Sequence, residues 1–452
     1  MSALVSISPR TRLGWPQVAG IGVGLAVLSL LVLRVPAYDP TAWLIWGRQI
    51  SHGTLDMVGG PSWKPLPVAF TTLFAFAGST VAPWLWLFVA RLAGLTALAL
   101  TFVLARRLGG RTAGIVAAAG LALGTNFLFN AVRGDSEGLL VALVLGAVLL
   151  HLEDRRWVAF AVGVLACGLR PEVWTLLGLY GVWLIWAERR AATVAYVAAG
   201  GALILAAWFL PDYLSTGEFF RGATRATHPV PGTPGQSAFP FGSALLLGLV
   251  FLVWPLYAGA VAAVREGDRT VVVLAAGAAG LMLVVAAMAQ AGFTGNIRYA
   301  TLPGALACVV GGVGLPGLVE RARVRLRPRV AQGLSLLGVA AVCVSVGVVV
   351  VNVANLAKQE REWGGALTAA IDRAGGPAAV RDCGRVQTAP FERQVLAYRL
   401  ELPPRVVFTH GSHQGIAFVL DGKTLPEAAL LPVAARTRGW TIRTSCSLAG
   451  AK

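Results

Sequence analysis

Charged residues are scarce in this sequence. Lys, Arg, Asp and Glu make up 13% of the 452 residues, and hydrophobic residues make up 56%, whereas a soluble protein carries about 25% charged residues. Apolar runs of roughly 18–22 residues recur along most of the chain, which is the length that a helix needs to cross a bilayer. The composition argues against an ordinary soluble enzyme and predicts a polytopic membrane protein.

Familiar catalytic motifs are also missing. No His/Cys cluster has the spacing of a zinc site, and neither a Gly-x-Ser-x-Gly nucleophile elbow nor a Walker phosphate loop occurs. These absences argue against zinc hydrolases, lipase-like acyl transferases and P-loop NTPases. A divalent metal ion at Asp39 and Asp135 is left open, although no ligand spacing supports it, and no other cofactor is predicted.

The basic residues show which side of the membrane each end faces. The formal net charge is +17, and most Lys and Arg residues form short clusters at the ends of apolar runs. Such clusters mark cytoplasmic loops under the positive-inside rule, so the N-terminus is predicted to be cytoplasmic. No basic groove interleaved with aromatic residues is present, and no nucleic acid is therefore predicted as a partner.

The spacing of the apolar runs predicts about eleven transmembrane helices. We expect an all-α polytopic membrane domain over residues 1–351, with outer loops at 36–83 and 211–241, and a small extracytoplasmic α/β domain over 352–452. The fifth and sixth predicted spans are short enough to be a broken pair that dips into the membrane and returns. The predicted spans are 15–35, 84–105, 112–130, 137–152, 157–169, 173–187, 192–210, 242–264, 270–291, 300–319 and 331–351.

The first outer loop carries an amphipathic helix. Asp39, Trp43, Trp46 and Ile50 recur at helical spacing, so one helix face holds a carboxylate beside two indoles. A helix with Trp on one side suits the membrane interface, and we expect this helix to lie in the interface plane. The segment 68–77 is too short to span and is expected to lie in the same plane.

The tail returns to the composition of a soluble domain. It contains Cys383 and Cys446, each beside a predicted strand. An extracytoplasmic location permits a disulfide bond between them, and two buried thiols with unsuitable geometry are the alternative. The predicted elements are helices at 354–373 and 391–400 and strands at 385–388, 405–409 and 440–444.

Charged residues collect at the outer ends of the predicted spans. They occur in Arg133-Gly134-Asp135-Ser136-Glu137, in Arg170-Pro171-Glu172 and in Asn296-Ile297-Arg298-Tyr299, in addition to Asp39 and Trp63-Lys64. Ionisable groups at the edge of hydrocarbon are costly and usually mark a pathway or a site. Two interpretations follow: a structural network of ion pairs, or a cavity that holds an anionic substrate.

A substrate cavity would assign distinct roles to these residues. Lys64, Arg170 and Arg298 are the candidates for binding a phosphate, because ammonium and guanidinium groups suit phosphate oxygens. Asp39, and after it Asp135, would take a proton from an attacking hydroxyl as a general base. The further candidate substrate contacts are Arg133, Glu137, Glu172, Tyr299 and Trp63.

The order of these motifs resembles a known family. An early loop Asp39, then Trp63-Lys64-Pro65-Leu66-Pro67, then Arg133-Gly134-Asp135 and a late Arg298-Tyr299 are similar to the GT-C superfamily of integral-membrane glycosyltransferases. The protein mannosyltransferase and aminoarabinose transferase-like branch is nearest. The resemblance implies a polyprenyl-phosphate-linked sugar as donor, Asp39 as catalytic base, Lys64 near the donor phosphate, and transfer on the outer face of the membrane.

The resemblance covers roughly residues 15–320 and not the tail. Pro40 stands where the branch has an acidic partner for the loop Asp, which bears on any metal requirement. The preference for Arg over Lys and the tail suggest an actinobacterial plasma-membrane enzyme of the cell envelope, with decaprenyl-phosphate arabinose or mannose as donor and a glycan, lipid or protein as acceptor. A transporter of lipid-linked substrates and a non-catalytic scaffold remain the alternatives.

Overall fold

The structure is a computed structural model and describes residues 15–31, 34–124, 126–228, 232–251 and 253–447. The predicted fold class is confirmed: an apolar helical bundle precedes a small C-terminal domain with one β-sheet. The helices are α1 Trp15–Leu30, α2 Tyr38–Ser51, α3 Pro65–Ala75, α4 Ala82–Ala122, α5 Phe127–Val132, α6 Glu137–Leu152, α7 Arg156–Cys167, α8 Val173–Glu188, α9 Ala191–Thr216, α10 Arg221–Ala226, α11 Pro240–Leu249, α12 Pro255–Glu266, α13 Arg269–Gln290, α14 Thr301–Arg325, α15 Pro328–Glu360, α16 Leu367–Arg373, α17 Gly376–Asp382 and α18 Arg393–Arg399.

Five helices in the described part of the chain are long and apolar enough to cross a membrane: Ala82–Ala122, Ala191–Thr216, Arg269–Gln290, Ile297–Arg325 and Pro328–Arg373. Further apolar helices of 10–17 residues precede the first of these or lie between them along the chain. Most fall on predicted spans, because a continuous apolar run favours one uninterrupted helix wherever no residue breaks it.

Several predicted span boundaries are wrong. The span predicted at 242–264 consists of α11 and α12, since Pro255 starts a helix and cannot continue one from before it. The break predicted between the spans at 84–105 and 112–130 coincides with the kink of α4 at Gly110, which has φ +85°, but the second span is too long because α4 ends at Ala122. Helix α9 runs on to Thr216, inside the predicted 211–241 loop. Pro229 and Pro231 of that loop lie outside the described residues.

The helix before the tail also differs from the prediction. It does not end near residue 351 but continues as α15 to Glu360, through a π-helical turn Arg361–Ala366, into α16. The bundle and the tail are therefore joined by continuous helix, which transmits orientation better than a coil linker does.

Close approaches at glycine hold the bundle together. Helices α12 and α14 cross where Gly259 and Gly314 face each other, and a Cβ atom on Gly314 would lie 2.6 Å from the backbone nitrogen of Ala263. Small residues at such crossings let two membrane helices pack by van der Waals contact.

The indole pair of the first loop is buried inside the protein. Trp43 and Trp46 are each 0% exposed, so the expectation that their face lies in the membrane interface is wrong. Helix α3 crosses α2 closely, with the Thr71 hydroxyl donating to the Trp43 carbonyl at 2.6 Å, and Trp86 packs edge-on against Trp43. Burying both rings within the protein removes more apolar surface from water than lying at an interface would.

The tail forms one five-stranded sheet with the order β2-β1-β3-β5-β4. Strand β1 is parallel to β2 and β3, whereas β3 and β4 are antiparallel to β5. The sequence predicted β1, β2 and β5 and missed β3 and β4. A disulfide joins Cys383 to Cys446 across this domain, with the Cα atoms 5.8 Å apart. The strands are β1 Val386–Thr388, β2 Val407–Phe408, β3 Ile416–Leu420, β4 Val433–Thr437 and β5 Trp440–Thr444.

One short loop, residues 56–62, contacts both the tail and the 211–241 segment, and we call it the junction loop. Its Gly59 carbonyl accepts hydrogen bonds from Arg393 at 3.2 Å and Gln394 at 3.0 Å, both from the tail. Its Met57 carbonyl accepts a hydrogen bond from Arg221, from the 211–241 segment. This junction loop directly precedes Trp63 and Lys64, so the tail and the 211–241 segment both constrain where Lys64 lies.

We predict that Gly314→Val destabilises the bundle. The added side chain would overlap the backbone of α12, and overpacking of this kind costs on the order of 1–3 kcal/mol. The matched control is Gly347→Val on α15, where a Cβ atom meets nothing within 4 Å. Thermal unfolding in detergent should show a lower melting temperature for Gly314→Val alone, and equal melting temperatures would contradict the crossing.

Candidate active site

The charged residues predicted from five separate segments meet in one cluster. Two ion-paired groups form it together with Lys64 and Arg133, and the residues concerned are Asp39, Lys64, Arg133, Asp135, Glu137, Arg170, Glu172, Arg298 and Tyr299. Four carboxylates and four cations are present, so the cluster is close to neutral without a substrate.

Arg298 lies between two aspartates. Its Nη2 donates to Asp39 Oδ2 at 2.9 Å, and its Nη1 donates to Asp135 Oδ1 at 2.8 Å. The guanidinium fork suits this geometry because its donors are planar and fixed. Arg298 therefore joins the start of α2 to the turn before α6.

Arg170 is occupied in a similar way. It donates to Glu137 and, at 3.3 Å, to Glu172, and its guanidinium lies 4.4 Å from the centre of the Tyr299 ring. Both carboxylates and the arginine are almost fully buried. The arrangement makes Arg170 a structural partner of two carboxylates and leaves its phosphate-binding role as a prediction that would require a change of partners.

Lys64 has fewer partners. Its ammonium donates to Ser136 Oγ at 3.1 Å and lies 5.1 Å from the centre of the Trp43 ring. No carboxylate lies within ion-pair distance of it among the described residues. Two of its three donors therefore remain available to an anion.

Arg133 is the other loosely held cation. Its guanidinium lies over the Phe129 ring at 4.7 Å, and within the described ranges it forms no ion pair. Its Nε is buried without a hydrogen-bond partner. Arg133 and Lys64 are therefore the two cations of the cluster that form no ion pair with a described residue.

Asp39 and Asp135 differ in access. The Asp39 side chain is 18% exposed and that of Asp135 is 2% exposed. Only Oδ2 of Asp39 is bound to Arg298, and Oδ1 accepts no hydrogen bond from the residues that the structure describes. Asp39 is thus the carboxylate that a second molecule can reach, and the buried Asp135 fixes the position of Arg298.

The surroundings push the pKa values of these two carboxyls apart. Burial alone would raise the pKa of Asp39, but Arg298 and Lys64 outweigh it and hold that pKa below its ordinary value. For Asp135, burial dominates over the attraction of Arg298 and raises the pKa to about 6. Asp39 is therefore ionised at neutral pH, as a proton acceptor must be.

Local backbone geometry positions these groups. Gly134 has φ +83°, and its carbonyl accepts a hydrogen bond from the Trp86 indole at 2.8 Å. The Ala37 backbone nitrogen donates to the Arg133 carbonyl at 2.9 Å, which fixes the chain before Asp39 against the turn before Asp135. Asp39 lies in the first turn of α2, where the helix dipole favours negative charge.

Trp63 is packed away from the cluster. It is 4% exposed, and its indole nitrogen donates to the Ala207 carbonyl at 2.9 Å. Direct contact with a substrate would require this side chain to move. Sequence reasoning missed Ser136, which bonds to Lys64, and the contact of Trp43 with Lys64. The spacing of Asp39 and Trp43 on one helix face was the signal for the second.

A large cavity lies outside the charged cluster. A cavity of about 1070 Å³ is lined on one side by Pro36 and Thr41 and on the other by the tail, so the start of α2 separates it from the cluster. Nor does any group of three His, Cys, Asp or Glu residues in the described ranges have an arrangement that would hold a metal ion.

The fold is similar to that of a known membrane enzyme. ArnT from Cupriavidus metallidurans, crystallised bound to undecaprenyl phosphate, matches with a TM-score of 0.57 and 14% sequence identity over 94% of this chain and 97% of that chain. Its apo structure matches with a TM-score of 0.58 and 13% identity over 94% and 96%. No protein-family model and no curated protein sequence matches significantly. The predicted resemblance to the GT-C superfamily is confirmed as a likeness of fold.

We predict that Lys64 titrates near pH 8 and that Asp39 contributes to this value. Burial lowers the pKa of Lys64 to about 8, with Arg170 adding to the effect and Asp39 opposing it. Asp39→Asn should therefore move the titration to lower pH. Competitive acylation of the intact protein across pH, read by mass spectrometry, measures the midpoint.

Exposed Lys358 in the same sample serves as the internal reference. Asp154→Asn, on an exposed side chain outside the cluster, is the matched control and should leave the midpoint of Lys64 unchanged. A Lys64 midpoint that does not move in Asp39→Asn would show that the two groups do not interact.

Proposed function

We propose that this protein is a membrane-embedded glycosyltransferase. It moves a sugar from a polyprenyl-phosphate donor to a hydroxyl of a cell-envelope glycan, lipid or protein. The reaction takes place on the outer face of a bacterial plasma membrane, with the N-terminus cytoplasmic and the tail extracytoplasmic. The observation that carries the proposal is the pairing of an accessible carboxylate, Asp39, with loosely held cations, Lys64 and Arg133, on an ArnT-like fold.

Asp39 acts as the general base. The acceptor hydroxyl approaches Asp39 Oδ1, the oxygen that carries no hydrogen bond from the described residues. As the acceptor oxygen forms its bond to the anomeric carbon, its proton passes to Oδ1. Arg298 keeps the carboxylate oriented through Oδ2, so the accepting oxygen is held in place before the reaction begins.

The leaving group is the polyprenyl phosphate. The bond between the anomeric carbon and the phosphate oxygen breaks, and the electron pair stays on that oxygen. The phosphate therefore gains negative charge, and Lys64 and Arg133 stabilise it through donors that the free protein leaves unused. Because the phosphate leaves as an anion, no general acid is required.

The ArnT crystal structure with undecaprenyl phosphate supports a lipid-linked donor for this fold. The exposed apolar surface of the long helices gives an isoprenoid tail a route from the bilayer. A transporter of lipid-linked substrates would need charged groups through the depth of the bundle, whereas this cluster lies at one end of the helices.

We predict that Asp39→Asn abolishes transfer. Removing a general base costs roughly 10²–10⁴-fold in rate, and Arg298 keeps its second partner Asp135, so the protein should still fold. Purified protein in proteoliposomes is incubated with a donor, either decaprenyl-phosphate arabinose or decaprenyl-phosphate mannose with a labelled sugar. A cell-envelope extract supplies the acceptor, and the released decaprenyl phosphate is measured. Asp154→Asn, which changes an exposed carboxylate outside both the cluster and the junction loop, should retain full activity.

The assay separates the alternatives. A transporter would move the labelled lipid across the bilayer without releasing decaprenyl phosphate, and a scaffold would do neither. Near-normal turnover in Asp39→Asn would remove this residue from the mechanism.

We also predict that Lys64→Met raises the KM for the donor more than it lowers kcat. The substitution removes a cation that contacts the phosphate in the bound donor as well as in the transition state. Lys64→Arg, which retains the charge, should recover part of the affinity. Unchanged donor affinity in Lys64→Met would contradict this role.

A further inference from the structure

The cavity between the tail and the membrane domain is separate from the charged cluster. Its volume is about 1070 Å³, and ligand sites commonly lie at domain interfaces in cavities of this size or somewhat smaller. Pro36 and Thr41 face it, whereas Asp39, on the same turn of chain, bonds to Arg298 on the other side. The reaction proposed above does not use this space.

Part of the cavity lining is apolar. Leu31 at the end of α1 leads into it, and the outward face of α1 is exposed along its length, with Leu28 59% exposed and Leu31 64% exposed. Trp84 forms part of the wall, with the Arg34 guanidinium 5.4 Å from its ring centre. Trp beside a basic residue is typical of the boundary between membrane and water. The apolar lining side chains are Leu31, Val35, Leu44, Pro83, Trp84 and Val395.

The rest of the lining includes charged side chains, and only some of them form hydrogen bonds with other described residues. Glu360 accepts hydrogen bonds from the backbone nitrogens of Arg34 and Val35, both at 2.7 Å. Glu401 accepts a hydrogen bond from Ser79 at 3.3 Å. Asp372 is the remaining carboxylate. The side chains of three arginines of the lining form no hydrogen bond or ion pair with any described residue: Arg361, Arg399 and Arg438.

We propose that this cavity binds the anionic head group of a membrane phospholipid. The phosphate lies against Arg361, Arg399 and Arg438, whose guanidinium groups suit phosphate oxygens, and the acyl chains leave along the exposed face of α1. A soluble anion would use only the arginines and would leave the apolar lining residues in contact with water. The continuity from the arginines through Trp84 to α1 therefore favours an amphiphile.

The test compares lipid retention by the full-length protein. Detergent-purified protein is mixed with equal amounts of phosphatidylglycerol and phosphatidylcholine with the same acyl chains, and bound lipid is measured by native mass spectrometry. We expect preferential retention of phosphatidylglycerol. The triple variant Arg361→Gln, Arg399→Gln, Arg438→Gln should reduce this preference at least about tenfold, since each basic side chain near a membrane surface adds roughly fivefold.

The matched control removes the same charge from the same domain outside the cavity, by Arg373→Gln, Arg381→Gln and Arg436→Gln, and should keep the preference. Ala369→Trp, which fills the cavity without changing charge, should lose retention of the lipid, and Ala369→Ser should not. Equal loss in the cavity and control triple variants, or undiminished retention in Ala369→Trp, would overturn the proposal.

Two further arms locate the lipid. Lys64→Met should leave phosphatidylglycerol bound, because Lys64 does not line the cavity. Loss of the lipid in that variant would place it at the charged cluster instead and overturn the inference without bearing on the transferase reaction. Competition by soluble glycerol phosphate as strong as that by the lipid would show a site for a free anion, and would also overturn it.

Discussion

The charged cluster depends on one guanidinium group. Arg298 reaches Asp39 across 259 residues of sequence and Asp135 across 163, so a single planar side chain joins the start of α2, the turn before α6 and the turn before α14. Without Arg298, the carboxylates of Asp39 and Asp135 would face each other. The Asp135 side chain is 2% exposed, and a buried charge without a partner costs several kcal/mol. The same bond fixes one oxygen of Asp39 and leaves the other available. The hydrogen bond between Arg298 and Asp39 therefore both stabilises the cluster and leaves Asp39 Oδ1 able to accept a proton.

Neutrality of the cluster does not prevent it from attracting an anion, because its charges are unequally paired. Arg170 and Arg298 each hold two carboxylates, whereas Lys64 contacts a hydroxyl and an indole ring and Arg133 contacts a phenyl ring. Two of the four cations therefore form no ion pair with a described carboxylate. Arg170 and Arg298 therefore stabilise the structure of the site, whereas Lys64 and Arg133 remain available to a ligand.

The sequence predicted where charge collects but not how the charges pair. Ionisable residues at span ends are costly, so their positions alone marked the site. Their pairing depends on helix packing, and for this reason Arg170 appeared equivalent to Lys64 although Glu137 and Glu172 occupy it. The same limit applies to Trp43, since spacing showed its helix face but could not show that α3 and α4 cover it. The break at Gly110 fell between two predicted spans, whereas the break before Pro255 was missed within a long apolar run.

Contacts from the tail and from the 211–241 segment help to fix the position of Lys64, in addition to contacts within the helical bundle. The junction loop before it is held by Arg221 at Met57 and by Arg393 and Gln394 at Gly59. Gln394 also donates to the Tyr38 hydroxyl at 3.2 Å, immediately before Asp39 in the chain. One helix of the tail, α18, therefore contacts the segments that carry both the cation and the carboxylate. Since the tail is joined to α15 by continuous helix, it acts as a brace across the site, and the separation of Asp39 and Lys64 is a property of the whole chain.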